Sequence, residues 1–233
     1  MKHNPPDSIY RELGKLDSNS VANAMESFGV RLRNEGFTGP GIARRTDLAG
    51  PMVGVALTLK VRSSDPPMKA GFYLDQPDWW ERIEAADYPR VLIIQDVDTH
   101  PGLGALVGPV HGCIIRALGF TGMVTSGAIR GARRLGAIGL HAFSGNVSPS
   151  HAYSHVLEIG GPVELAGLRI ATGDVIHGDQ DGIVSVPAEL AAKIPEVARR
   201  FMERERAICE FCERPGFSPD GLKAFVRAEP GSR

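Results

Sequence analysis

The sequence predicts an α/β fold: a mixed sheet with flanking helices. Three observations carry that reading. Residues 91 to 143 alternate apolar strand runs with helical patterns, as βαβ units of a parallel sheet do. Residues 144 to 187 break into short β runs, HVLEI, GPVEL, LRIA, DVIH and GIVSVP, with Gly, Pro and Asp between them. That spacing points to antiparallel or mixed pairing. Helical periodicity marks both ends, at 17 to 29 and at 188 to 213.

In chain order, DSNSVANAMESFG (17 to 29) opens on Asp and Ser cap candidates. Val21, Ala24, Met25 and Phe28 then recur at helical spacing, and Gly29 stops the helix. Residues 30 to 50 are rich in Gly and Arg and read as an extended loop. PMVGVALTLKVRS (51 to 63) is an apolar, β-branched run and hence a strand. A loop from 64 leads to a helix near 78 to 87, where Trp79 and Trp80 serve as core anchors or a subunit contact, packing being favoured. VLIIQ (91 to 95) is a short buried strand followed by the polar loop DVDTHPGLG. ALVGPVHGCIIRALG (105 to 119) has helical spacing, with Pro109 tolerable only near a helix start and Cys113 a small core residue. GMVT (122 to 125) is a strand ending in a Ser-Gly turn, AIRGARRLG a short helical turn, and GLHAF (139 to 143) a further strand. The last helix should bend at Pro195. Residues 1 to 213 read as a single domain, and 214 to 233 as a Pro- and Gly-rich C-terminal tail.

Composition excludes several functions. The net charge of −1 creates no global field to draw in nucleic acid or an acidic membrane. Neither Arg133 and Arg134 nor the ERER run at 203 to 206 is interleaved with aromatics as an RNA-binding surface would be. Those charges read as a subunit contact and a solvated helix face. No window approaches the length of apolar chain that a membrane span needs. The polar start MKHNPPDSIYRELG is unlike a secretory signal, and 3 Cys give no disulfide framework, so a cytoplasmic protein is expected. Cys209 and Cys212 form CxxC inside a charged helical pattern, not after a strand where a redox pair is normally placed, and read as structural. His3 and His141 read as surface or core residues.

Ligands of parallel sheets collect at the C-terminal strand ends, where helix N-termini point free N–H groups outward. Two such ends stand out: the segment DVDTHPGLGALVGPVHG after 91 to 95, and SGAIRG after 122 to 125. Strand order should bring them together. The helix starting near Gly108 then offers N–H donors to a bound anion, and Arg130 adds a two-pronged grip for a carboxylate. Two readings of Arg130 stand: it holds a small carboxylic acid such as a 2-oxo acid, or it pairs with a neighbouring subunit.

The stretch GALVGPVHGCIIRALGFTGMVTSGAIRG (104 to 131) resembles the core signature of the RraA-like family. LDSNSVANAMESFG is similar to that family's N-terminal helix, GPMVGVALTL to its first strand, and ATGDVIHGDQDGIVSVP to its closing segment. The family includes 4-hydroxy-4-methyl-2-oxoglutarate aldolases, oxaloacetate decarboxylases and the RraA inhibitors of ribonuclease E. The resemblance implies a swivelling β/β/α domain in a homo-oligomer, a trimer or a trimer-built hexamer, with the active site between subunits. It implies a carbon–carbon lyase acting on a small 2-oxo or hydroxy acid by retro-aldol cleavage or decarboxylation, a non-catalytic regulator, or a divergent enzyme using the same anion pocket for other chemistry. It places substrate binding on Gly108, Pro109, Val110, His111 and Arg130, and a divalent metal, Mg²⁺ or Mn²⁺, beside Arg130.

This chain departs from the pattern at two acidic positions. The loop acid is Pro109, and the metal-binding aspartate is Gly131. An enolate left by cleavage needs a cation or strong donors, and a hard divalent ion wants carboxylate oxygens, which neither residue offers. His111 is one candidate for catalytic base. Asp96, Asp98 and His100 lie on the first loop and can turn into the site. A second cluster, His151, His155, His177, Asp179 and Asp181, pairs residues at spacings that can bind a transition metal, although Asp179 and Asp181 also suit a tight turn, the reading favoured here.

Overall fold

The computed structural model describes residues 7–68, 77–86 and 89–228; His3 and the end of the tail, 229–233, lie outside them. Two helices open the chain, α1 (Asp7–Leu13) and α2 (Ser18–Ser27). Strands β1 (Ala43–Arg44) and β2 (Met52–Arg62) are followed by α3 (Pro77–Ala85) and β3 (Arg90–Asp96). Next come β4 (Ala105–Val107), α4 (Pro109–Ala117), β5 (Phe120–Ile129), α5 (Ala132–Ala137) and β6 (His141–Val147). The short strands are β7 (His155–Ile159), β8 (Val163–Leu165), β9 (Leu168–Ile170), β10 (Val175–Asp179) and β11 (Gly182–Val186). Helices α6 (Ala188–Ala191), α7 (Ile194–Glu213) and α8 (Pro219–Ala228) complete it.

The main sheet runs β1-β6-β5-β3-β2-β10-β11, with β4 beside β5 and β7 beside β2. Strands β6, β5, β3 and β2 are parallel to one another, while β10 and β7 lie antiparallel to β2 and β1 to β6. This is the mixed sheet with flanking helices that the alternating and short-run patterns predict.

Alternation along the strands sorts side chains into separate cores, because successive residues point to opposite faces. Leu57 and Leu59 of β2, with Leu92 and Ile94 of β3, pack under Trp79, Ile115 and Leu135 from the three central helices. Ala56, Val91 and Ile93 face the other way, against Phe143 and the β8–β9 hairpin. A third cluster joins Val53 and Val55 to α1, α2, α6 and α7. Trp79 is fully buried, while Trp80 of the same helix is exposed.

Several local expectations change. Residues 105 to 107 form a strand, so the helix begins at Pro109, whose missing N–H has no acceptor in a first turn anyway. Ser126 and Gly127 do not end the strand: β5 runs to Ile129 with a register irregularity between Thr125 and Ala128. Its far end is held between β4 and β6, which supply pairing that the local sequence does not announce. Pro195 bends nothing, because α6 has already ended and α7 starts one residue before it. Cys113 is exposed, since α4 buries His111, Gly112 and Ile115 and turns position 113 to solvent. Cys209 and Cys212 are likewise exposed, on α7. Helix α8 folds back on α7, where Phe225 stacks on Phe211 with centroids 4.8 Å apart. His141, half-buried, is pushed down to about 4 by burial and by Arg44 and Arg116, and stays neutral. Among the described residues no helix is long and apolar enough to cross a membrane.

The start of α2 is tied to the end of β10. Asp17 accepts from the N–H of Ser20 at 2.7 Å, and Asp179 accepts from Ser18 N–H at 2.8 Å and Ser18 Oγ at 2.5 Å. Burial works against the charge on Asp179, but the bonds from Ser18 and the Asp181 N–H outweigh it and hold the carboxyl below the usual range. A lowered folded value means that this stability is present above the ordinary carboxylate pKa and is lost as pH falls through the folded one. Asp179→Ala should therefore cost about 2 kcal/mol at neutral pH. The gap to the unaltered protein should narrow in acid, as read from urea midpoints at the two pH values.

Candidate functional site

The two candidate loops meet because β4 is laid alongside the end of β5. Ala105 and Val107 pair in parallel with Ala128 and Ile129, and the N–H of Arg130 donates to the carbonyl of Val107 at 3.2 Å. One step further on, the chain leaves β4 at Gly108 and β5 at Arg130. Gly108 is the N-cap of α4 without a side-chain cap, so the N–H groups of Val110 and His111 lack helical acceptors. The Arg130 side chain lies across Gly108: a β-carbon there would sit 2.8 Å from Nε and 3.1 Å from Cγ. A larger residue at 108 would have to push the arginine side chain from this position.

These residues wall a cavity of about 900 Å³. Gly108, Pro109, Val110 and His111 form one side, Arg130, Gly131 and Arg134 another, and Ser148, His151 and Ser154 the rim. No aspartate or glutamate lines it. The Nε of Arg130 is buried without a hydrogen-bond partner, and among the described residues its guanidinium forms no ion pair. His111 is buried, its Nδ1 3.1 Å from the Leu106 carbonyl, and burial pushes its pKa down despite that contact. It is therefore a neutral imidazole near neutral pH.

The rim was legible only in part. Arg134 reads from sequence as a subunit contact, yet it stands on the cavity wall. His151 is singled out with the second cluster, but it belongs here. Its Nδ1 meets the Ala152 carbonyl at 2.7 Å, and Ala152 adopts a left-handed φ of 45°. Serine hydroxyls hold that loop: Ser150 Oγ accepts from the Ala152 N–H at 2.9 Å, and Ser148 Oγ donates to the Leu103 carbonyl at 2.9 Å. Ser148 and Ser154 carry no sequence signal, because only the path of the loop brings them to the cavity.

The proposed substitutes for the missing acids go elsewhere. Asp96 turns inward and accepts from the N–H groups of Asp98 and Gly102, at 3.1 and 2.8 Å, and burial raises its pKa. Asp98 accepts from Ser63 N–H and Ser64 Oγ, at 2.8 and 2.7 Å. With His100 it lines an adjoining cavity of about 650 Å³ that shares only Ser148 and Pro149 with the first. The second cluster falls apart: His177 is buried against the Leu16 carbonyl, Asp179 holds Ser18, Asp181 holds Asn19, and His155 bonds the Tyr153 carbonyl.

The residues beside Arg130 do not fit the divalent ion that the resemblance implies. Gly131 sits at a φ of 71°, and a β-carbon on it would lie 2.7 Å from Pro109 Cγ. The proline ring occupies the space into which a side chain at 131 would start. Among the described residues, no group of three or more His, Cys, Asp or Glu could hold a metal ion.

The same contact makes a stability prediction. Gly131→Ala should cost about 1–3 kcal/mol, from left-handed strain and the clash together. Pro109→Ala should lower that cost when the two are combined. A double-mutant cycle on urea midpoints measures the coupling, and additive effects would refute the contact.

Residues 18–185 match the RraA-like family described as Aldolase/RraA. An uncharacterised protein of Methanocaldococcus jannaschii is 32% identical over 93 residues, 40% of this chain and 45% of that protein, so the match spans less than half of its length. The crystal structure of an uncharacterised protein from Pseudomonas syringae pv. tomato is similar with a TM-score of 0.74 at 22% identity, covering 97% of both chains. Streptomyces coelicolor RraAS2, described as an unusual member of the RNase ES inhibitor RraA protein family, gives a TM-score of 0.68 at 22% identity, covering 88% of this chain and 96% of that one. The two structures establish the likeness of fold, and the family match spans most of the chain: this protein belongs to the Aldolase/RraA family.

Proposed function

We propose that this chain binds a small 2-oxo or hydroxy carboxylic acid in the Arg130 cavity and cleaves it as a carbon–carbon lyase. The supporting observation is the meeting of an arginine with an unpaired Nε and an uncapped helix start on the wall of one cavity. In this reading Arg130 grips the substrate carboxylate, and the α4 amides stabilise charge at its 2-oxo end. His111 is a neutral imidazole able to take a proton. For a 4-hydroxy-2-oxo acid, the base removes the hydroxyl proton and the C3–C4 bond breaks. The bond's electron pair passes into the 2-oxo group as a pyruvate enolate, and the proton returns to C3. For a 2-oxo-4-carboxylate such as oxaloacetate, loss of carbon dioxide leaves the same enolate. The proposed assembly is a homo-oligomer, a trimer or hexamer as in the family, working in the cytoplasm.

One observation favours a second reading, a non-catalytic regulator of another enzyme: positions 109 and 131 both lack carboxylates. Pyruvate formation from 4-hydroxy-4-methyl-2-oxoglutarate or oxaloacetate separates the two. We expect release above the uncatalysed rate, with Arg130→Gln lowering kcat/KM by about 10²-fold or more. No release in EDTA, Mg²⁺ or Mn²⁺ would overturn the lyase and leave the regulator.

A further inference from the structure

We infer that the Arg130 cavity holds its acid without a metal ion, with the guanidinium of Arg134 supplying positive charge where a divalent cation would be expected. The inference rests on the proposed acid-binding reading of the cavity and goes beyond it in naming the source of the charge.

Three observations carry it. First, the cavity wall contains Arg130 and Arg134 and no aspartate or glutamate. Such a wall repels a divalent cation and attracts an anion. Second, the place for a metal-binding carboxylate is closed by construction. Gly131 has left-handed backbone, and its missing β-carbon would start 2.7 Å from the Pro109 ring. The two positions without an acid lie against each other, so Pro109 limits what position 131 can carry. Third, the carboxylates at the end of β3 and in the loop after it are committed: Asp98 accepts from Ser63 and Ser64, and Asp96 from two backbone amides. Neither lines this cavity.

Two guanidiniums and two helix-start amides suit a ligand with charge on two oxygen-bearing groups. A fully ionised dicarboxylate meets that description better than a monocarboxylate, whose single charge Arg130 satisfies alone. Arg134 is exposed at the cavity mouth and among the described residues has no ion pair. It is thus available to the second charge, and also replaceable without disturbing the core.

The test is calorimetric titration of oxalate, and separately of pyruvate, into the full-length protein, once in EDTA and once with Mn²⁺. We expect oxalate to bind with affinities that agree within about threefold in the two conditions. Arg134→Gln should weaken oxalate about tenfold, while pyruvate changes less. Oxalate binding that requires Mn²⁺, or that tightens more than about tenfold with it, overturns the inference and leaves the cavity as an acid site. So does an Arg134→Gln variant with unchanged oxalate affinity. Absence of oxalate binding in both conditions sinks the acid-binding reading itself, and this inference with it.

Discussion

The candidate site depends on one short piece of strand pairing. Three residues, Ala105 to Val107, lie parallel to the end of β5. That pairing places the last residue of β4 beside Arg130, whose N–H it receives. Two chain segments more than twenty residues apart in sequence then exit the sheet side by side, one into α4 and one into α5. The helix-start amides and the guanidinium face a common cavity for that reason. Gly108 completes the arrangement, since any larger residue would displace the arginine lying on it.

The cavity's charge follows from a second contact, between Pro109 and Gly131. Each residue suits its own backbone. Proline fits the first turn of a helix, and glycine fits left-handed φ. Their fit to each other is the more consequential fact. A proline ring over a bare α-carbon leaves no room for a side chain that could carry a metal ligand. With no acid on the wall, the two arginines have no carboxylate partner among the residues that line the cavity. That imbalance is a physical reason to look for an anionic guest.

Around this site the scaffold is closed by bonds between distant segments. Asp179, at the end of β10, holds the start of α2 through Ser18, more than 160 positions earlier. The rim loop from 148 to 154 is held by its own serine hydroxyls and by the Leu103 carbonyl, and carries His151 to the cavity mouth. His177 is buried against the Leu16 carbonyl and Asp179 is bonded to Ser18, so both lie inside the fold and away from the cavity lining. The histidine-rich and aspartate-rich segments that look alike in the sequence thus do different work.

Much of this was legible in the residues themselves. Continuous apolar, β-branched runs marked β2 and β3, the Asp-Ser cap marked α2, and Pro109 pointed to a helix start. Those features are local: they depend on which neighbours along the chain share a face or satisfy a backbone group. β4, the continuation of β5 through Ser126 and Gly127, and the placing of Arg134 and His151 on one wall were not legible. Each is set by partners far away in sequence, and three apolar residues pair as a strand only when another strand is there to receive them. The amino-acid order by itself determined the α/β class, the loops from which a site would be built and the absence of acids at 109 and 131. Tertiary structure alone decided that those two positions touch and that the cavity has arginines but no carboxylates, because side-chain packing across the sheet end depends on how separate segments meet.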